Sequence, residues 1–148
     1  MGELEEARDR HLRLAAEYDN FRKRTARERA ELADKAQGAL AGKLLDALDD
    51  LERLVAGGDK ATDAGLVHQA VGLLDRKLRK ELEAAGLERI DPVGQPFDPA
   101  VAEAVHVLQP PSADRDHTVA ATFQVGYRFK GGLIRPARVQ VYSSEGHA

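Results

Sequence analysis

Between residues 3 and 42 the apolar and ring-bearing positions fall at Leu4, Ala7, His11, Leu14, Tyr18, Phe21 and Thr25, in steps that alternate three and four. That is the period of a coiled-coil seam, so the stretch is predicted as one long helix. Beyond Thr25 the pattern loosens. Leu32 stays in frame, but Glu28 and Lys35 stand where seam residues are due. Leu32, Ala36, Leu40 and Leu44 instead follow the wider period of a nearly straight helix pair. A helix of about 40 residues is roughly 60 Å long. So narrow a stripe cannot hold it folded alone, and it requires a partner, most simply a second copy. The seam is also thin. Ala7, His11, Thr25 and Ala36 each contribute about 1 kcal/mol or less beyond helix propensity, so such a pair should melt early and reversibly.

From residue 43 the stripe is denser, with Leu44, Leu45, Leu48, Leu51, Leu54 and Val55 ahead of the break "AGGDKATD". A second helix carries Leu66, Val67, Ala70, Val71, Leu74, Leu78 and Leu82, with Thr62 or Asp63 to cap its start and Gly86 its end. Two short leucine-rich helices are half of a bundle, and two protomers would complete four. From Leu87 onward the reading is strand and turn. All six prolines (Pro92, Pro96, Pro99, Pro110, Pro111, Pro136) lie here, and "EAVHVL", "HTVAATFQV" and "LIRPARVQVY" are valine-rich with partial alternation. The turn "KGG" (Lys130 to Gly132) is predicted to join the last two as a hairpin. The expected fold class is α+β: a long coiled-coil-like helix pair over 1–42, a four-helix bundle formed across a homodimer by 43–87, and a small all-β module over 88–148. Leu14, Tyr18 and Phe21 in the seam, and Leu44, Leu48, Leu51, Leu74 and Leu78 in the bundle, are the expected dimer-interface residues.

Composition narrows the function. With 32% charged and 5% aromatic residues, a large compact core is not expected. The basic run Arg22, Lys23, Arg24, Arg27 and Arg29 raises the question of nucleic acid, but residues 1–42 hold 9 Lys/Arg against 9 Asp/Glu, and the whole chain has net charge -3. The seam also passes through the run, where a DNA-gripping helix pair would fork apart. Glu28 and Glu31 lie at helical spacing from Arg24 and Lys35. The run therefore reads as a solvated face of ion pairs, or as a protein contact, ahead of a nucleic-acid arm. There is no cysteine, and His11, His68, His106, His117 and His147 lack metal-ligand spacing. "VGYRFKGG" has glycines but no following helix to offer amide donors to a phosphate, and Ser112, Ser143 and Ser144 have no base nearby in sequence. No enzyme activity, cofactor or metal is expected. The apolar runs are far too short to cross a membrane, "MGELEEARDR" lacks the apolar core of a secretory signal, and Glu6 and Ala7 spoil a lipidation motif. A cytoplasmic location away from membranes is expected.

Four stretches carry a specific resemblance. "EYDNFRKRTARE" (17–28) resembles the long-helix motif of the GrpE family, the nucleotide exchange factors of DnaK-type chaperones. "PFDPAVAEAV" (96–105) followed by "GYRFKGGLIRPARVQV" (126–141) resembles that family's C-terminal signature, and "LLDALDDLERL" (44–54) is similar to its short bundle helix. The resemblance runs from about Leu4 to Val141. It implies a parallel homodimer with paired long helices, a four-helix bundle and two β-wings, one of which packs on the ATPase domain of a DnaK-type chaperone. By opening the nucleotide cleft it would release ADP, in a cycle shared with a DnaJ-type co-chaperone, and melting of the long helices would act as a thermosensor. The residues implied to contact the chaperone are Arg53, Val55, Gly132, Leu133, Arg135, Pro136 and Val141, while Phe97 is expected as a packing anchor. Arg53 could instead merely solvate the bundle, and Val141 could be ordinary wing core. Two positions depart from the family pattern: Ala102 stands where a histidine is common, and Gly132 where the hairpin tip commonly carries an arginine. The competing reading is a coiled-coil scaffold or nucleic-acid-binding dimer with a β cap.

Overall fold

The computed structural model describes residues 2–57 and 63–146. Helix α1 spans Glu3–Ala56, 54 residues without interruption, which at the α-helical rise is roughly 80 Å. Glu3, Glu5 and Glu6 occupy its first turn and Arg53 its last, both favourable against the helix dipole. The expected division at 42/43 corresponds to no break in the backbone, so the first of the two short helices assigned to 43–87 is the end of α1. The reason is chemical. Gly38 and Gly42 each cost about 1 kcal/mol relative to alanine in a helix interior but keep both backbone hydrogen-bonding groups, whereas only a proline would remove a donor.

Helix α2 spans Ala64–Ala85. Asp63 caps it, its Oδ1 accepting the Gly65 N–H at 2.9 Å while its carbonyl accepts from Leu66 and Val67. Thr62, the alternative cap, lies outside the described residues. Gly86 ends the helix with φ +123, its N–H donating to the carbonyls of Leu82 and Glu83. A Cβ at Gly86 would lie 2.7 Å from Lys130 Cγ, so glycine is required for close approach as well as for its dihedral angle.

The remaining chain forms β1 (Leu87–Ile90), β2 (Ala102–Leu108), a 3-10 turn at Ala113–Arg115, β3 (Val119–Gln124), β4 (Gly126–Phe129), β5 (Gly132–Arg135) and β6 (Ala137–Tyr142). These make two three-stranded sheets, ordered β1-β4-β5 and β2-β6-β3. In the second, β6 is central, parallel to β2 and antiparallel to β3. Its Ala137, Val139 and Val141, with Ser143 just past its end, are buried on one face while Arg138, Gln140 and Tyr142 point the other way, the period-two alternation of a half-buried strand. Val119, Ala102 and Ile90 complete the core, and Phe97, Val101, Ala104 and Val107 pack against it.

The expected strand boundaries require correction. "HTVAATFQVGYRF" is divided at Val125 and "LIRPARVQVY" at Pro136, and the parts belong to different sheets. The "KGG" turn joins β4 to β5, with Lys130 (φ 47) and Gly131 (φ 84) both at positive φ between the paired Phe129 and Gly132. Positive φ at both central residues is the two-residue geometry that matches strand twist. Pro136 has no N–H to continue the β5 ladder, so the strand stops there. The two corners lie against each other: a Cβ at Gly126 would sit 2.5 Å from Ala137 N and 2.8 Å from Pro136 C. The Arg135 Nε–H donates to the Val125 carbonyl at 3.0 Å, tying one corner to the other.

Candidate functional site

The last four to five turns of α1 show how its apolar residues are used. Leu40, Leu44, Ala47, Asp50 and Leu54 recur at steps of three and four and are the partly covered or buried line of the helix. Beside them Leu48, Leu51 and Val55 form a second line that is open; Leu48 is 59% and Val55 72% exposed. A helix with two apolar lines needs two neighbours, which is the situation inside a bundle. On α2 the same contrast holds between partly covered Ala70 and Leu74 and the more open Val67, Val71 and Leu78. Of the expected dimer-interface residues, Leu14, Tyr18, Phe21, Leu48, Leu51 and Leu78 are exposed in the single chain, and Leu44 and Leu74 are partly covered.

Arg53 and Val55 were expected together as contact residues, but two positions apart on a helix they point to different sides. Val55 continues the Leu48–Leu51 line. Arg53 projects from the opposite side with its side chain 73% exposed and pairs with Asp50 one turn back. An exposed pair of this kind is worth at most about 1 kcal/mol, so the guanidinium can be surrendered to another carboxylate at little cost.

The basic run on α1 is a solvated face. Lys23 pairs with Asp19 at 2.9 Å and Arg24 with Glu28 at 3.8 Å. The guanidinium of Arg22 lies 6.0 Å over the Tyr18 ring and that of Arg24 5.8 Å over Phe21. The two seam aromatics are thus flanked by cations that can stack on their faces.

In the sheets, Gly132, Leu133 and Arg135 lie along β5, an edge strand, and are exposed; Pro136 is half-buried at the corner. Val141 is different. It was expected to offer an apolar contact, yet it is 2% exposed in the core of the β2-β6-β3 sheet, packed where a central strand must be. Ala102 is also core, so the departure there concerns packing rather than surface chemistry.

Between α2 and the β1-β4-β5 sheet lies an open cavity of about 420 Å³, lined by Leu78, Leu82, Leu87 and Ile134 with Arg79, Arg89 and Arg135 at its rim. Tyr127, on β4, also lines it. The Arg135 guanidinium lies 5.2 Å over the Tyr127 ring. The Arg79 Nε–H points at both oxygens of Asp75, each at 3.0 Å, and Asp75 first and the nearby Tyr127 second raise the Arg79 pKa above the usual guanidinium value. None of Arg79, Tyr127 and Gly126 stood among the expected site residues. The only trace in sequence was the pair "GY" at the head of the quoted signature, since Arg79 lies about fifty positions earlier on another element.

At the far end of the wing, Asp116 holds the C-terminal segment. Its Oδ2 accepts the Ser144 hydroxyl at 2.6 Å and its Oδ1 the Ser144 N–H at 2.9 Å, and these hydrogen bonds hold its carboxyl below the usual range. His117, next in sequence, turns its Nε2 to Asp116 at 3.7 Å with φ 63, but the serine donates to the carboxylate and not to the imidazole, so no nucleophile is activated. Among the described residues no group of three or more His, Cys, Asp or Glu side chains is placed to hold a metal ion, and no helix is long and apolar enough to cross a membrane.

Comparison with known proteins is consistent along the chain. The family model described as GrpE matches residues 1–143. A Protein GrpE of Bacteroides fragilis is 34% identical over 139 residues, covering 94% of this chain and 71% of the relative. One from Nitrobacter winogradskyi is 38% identical over 145 residues, covering 94% and 73%. One from Syntrophobacter fumaroxidans is 39% identical over 145 residues, covering 97% and 76%.

Proposed function

The chain belongs to the GrpE family, and on that premise we propose that it is the nucleotide exchange factor of a DnaK-type chaperone. The observation that carries this reading is that the family match spans both helices and both sheets rather than one motif. The chain acts as a homodimer, with the open apolar lines of α1 and α2 covered by a second copy: the seam around Leu14, Tyr18 and Phe21, and a four-helix bundle around Leu44, Leu48, Leu51, Leu74 and Leu78. It works in the cytoplasm beside a DnaJ-type co-chaperone, and it binds neither nucleic acid nor membrane.

The mechanism is linkage rather than covalent chemistry. A partner that binds the open form of the ATPase domain better than the closed form must weaken ADP affinity by the same factor, typically about 1–3 kcal/mol. Arg53 supplies a guanidinium freed cheaply from Asp50, and the exposed β5 edge with Gly132, Leu133, Arg135 and the corner at Pro136 supplies the wing contact. Val55 contributes by holding the bundle line, and Val141 by holding the wing core beneath that edge. The thin seam makes the long helices a thermosensor: heating unpairs them first and slows exchange while the leucine-rich bundle persists.

The test is the release rate of fluorescent ADP from a DnaK-type chaperone. Addition of the chain should accelerate release strongly. Arg53→Ala should reduce that effect by about 10- to 100-fold, the range for losing a charge-assisted hydrogen bond. A folded dimer that leaves the rate unchanged would overturn the reading.

A further inference from the structure

Helix α2 ends at Ala85 and β1 begins at Leu87, so a single residue, Gly86, stands between them. Its two backbone groups answer to different elements. The Gly86 N–H donates to the carbonyls of Leu82 and Glu83, at 3.1 and 3.0 Å, and so belongs to the helix. The Gly86 carbonyl accepts the Lys130 N–H at 2.9 Å, which carries the β1–β4 ladder one step beyond its Leu87–Phe129 pair. Because each peptide unit is planar, the φ and ψ of this one residue are the joint between helix and sheet.

Glycine does not hold such a joint by itself. The missing side chain that makes φ +123 reachable also leaves the backbone loose. Side-chain packing does not hold it either. An open cavity of about 420 Å³ lies between α2 and the β1-β4-β5 sheet, and unfilled space forfeits the dispersion contacts that fix such an angle. Lys130 supplies the missing restraint. A Cβ at Gly86 would lie 2.7, 3.3 and 3.6 Å from its Cγ, Cε and Cδ, so the lysine stem occupies the place of the absent side chain. Its ammonium lies 5.7 Å over the Phe129 ring, back on the sheet. Lys130 is also held at φ 47, in a two-residue turn that favours glycine or asparagine. A long side chain kept in a left-handed conformation that glycine adopts without strain points to a use for that side chain.

We infer that Lys130 is a positioning residue: closed over Gly86 at the end of α2, it sets the angle of the wing to the helix. The functional half of the inference rests on the exchange-factor reading. A wing held at one angle cannot follow the ATPase domain as its cleft closes, so it binds the open form better than the closed one. A wing on a loose joint follows both forms, and a partner with equal affinity for two states shifts neither.

Lys130→Gly keeps the N–H and relieves the turn but removes the stem, whereas Lys130→Met keeps the stem without the charge. Gly86→Ala disturbs the same joint from the helix side. The chain lacks cysteine, so spin labels at His68→Cys on α2 and Glu103→Cys on β2, both exposed, report the angle in full-length chain diluted with unlabelled chain. His68 lies about 27 Å along the helix from the joint, where a rotation of about 20° becomes a shift of about 9 Å. Lys130→Gly and Gly86→Ala should broaden the distance distribution, and Lys130→Met should leave it as narrow as in the unaltered chain. Lys130→Gly should keep amide protection at Ala137 in the wing core and lower the saturating ADP-release rate by about 2- to 10-fold, a part of the roughly 5- to 150-fold coupling usual between linked sites. Should Gly86→Ala unfold the wing, Lys130→Gly decides alone. An unchanged distribution in Lys130→Gly would overturn the inference. So would an equal loss of exchange in Lys130→Met, which would mark the ammonium as a direct contact, or a broadened distribution with the saturating rate intact. If the unaltered chain fails to accelerate release at all, the exchange reading falls, and the distance measurement still decides whether Lys130 holds the joint.

Discussion

Replacing Gly126 by alanine should loosen the wing by an amount that can be worked from three distances. The added Cβ would lie 2.5 Å from Ala137 N, 2.8 Å from Pro136 C and 2.9 Å from Arg135 O. All three are backbone atoms, so no rotamer change relieves the contact, and the two stacked corners must separate by roughly 1 Å to reach ordinary van der Waals spacing. Overpacking of a well-packed site costs about 1–3 kcal/mol, and rigid neighbours place this case at the upper end. Because Gly126 is not at positive φ, alanine also restricts the unfolded chain and returns about 0.4–1 kcal/mol. The net loss is about 2 kcal/mol. Circular dichroism is dominated by the two helices, and the chain has no tryptophan, so amide hydrogen exchange is the suitable assay. The reporters are the Ala137 N–H on the Val101 carbonyl and the Tyr142 N–H on the Thr118 carbonyl, each at 2.9 Å. Their protection should fall by about 30-fold, the equivalent of 2 kcal/mol. Gly132→Ala, whose Cβ would meet only Phe129 O at 3.5 Å, is the control and should change protection by less than about twofold. Equal protection in Gly126→Ala and the unaltered chain would refute the stacked-corner argument.

Two further outcomes are expected. Heating followed by circular dichroism should show two transitions, the lower one helical and reversible as the seam unpairs, and a single cooperative transition would remove the thermosensor reading. The Asp116 latch should respond to acid in a definite direction. Its carboxyl is held below the ordinary value of 3.8, so its contribution is fully present above that value and is lost as pH falls through the lower folded one. Protection of the Ser144 N–H should stay level from pH 7 to about pH 5 and drop only in stronger acid, and Asp116→Asn should abolish that acid dependence.

What could be read from the chain follows the range of the forces involved. The three-four steps of Leu4 to Thr25, the break after Val55, the Asp63 cap and the Gly86 stop are local signals, and each locates an element within a residue or two. The continuity of α1 was misjudged because a change of composition at residue 43 resembles a boundary, although no proline enforces one. The strand divisions at Val125 and Pro136 were invisible for a different reason. Gly126 is demanded by the backbone of Arg135 to Ala137, nine to eleven positions on in sequence but folded back against it, and nothing in "VGYRF" announces that neighbour. The parallel pairing of β2 with β6 is likewise set by the core. Of the expected contact residues, surface positions such as Leu133 and Arg135 could be placed by alternation and the proline, whereas Val141 could not, since a valine between polar residues reads alike on either face.

The two corners also say something about how the wing is assembled as a piece of topology. The last registered pair of β3 with β6 is Gln124 with Arg138, so the antiparallel ladder closes at the point where the chain departs at Val125 and returns at Ala137. The β4–β5 hairpin is therefore an excursion inserted into the loop of a simpler β3–β6 hairpin. Its length and tip chemistry can be altered, as the Gly131–Gly132 tip illustrates, without touching the register of the strands that leave and re-enter the second sheet. The wing edge offered to a partner is a module free to diversify on a frame that is not.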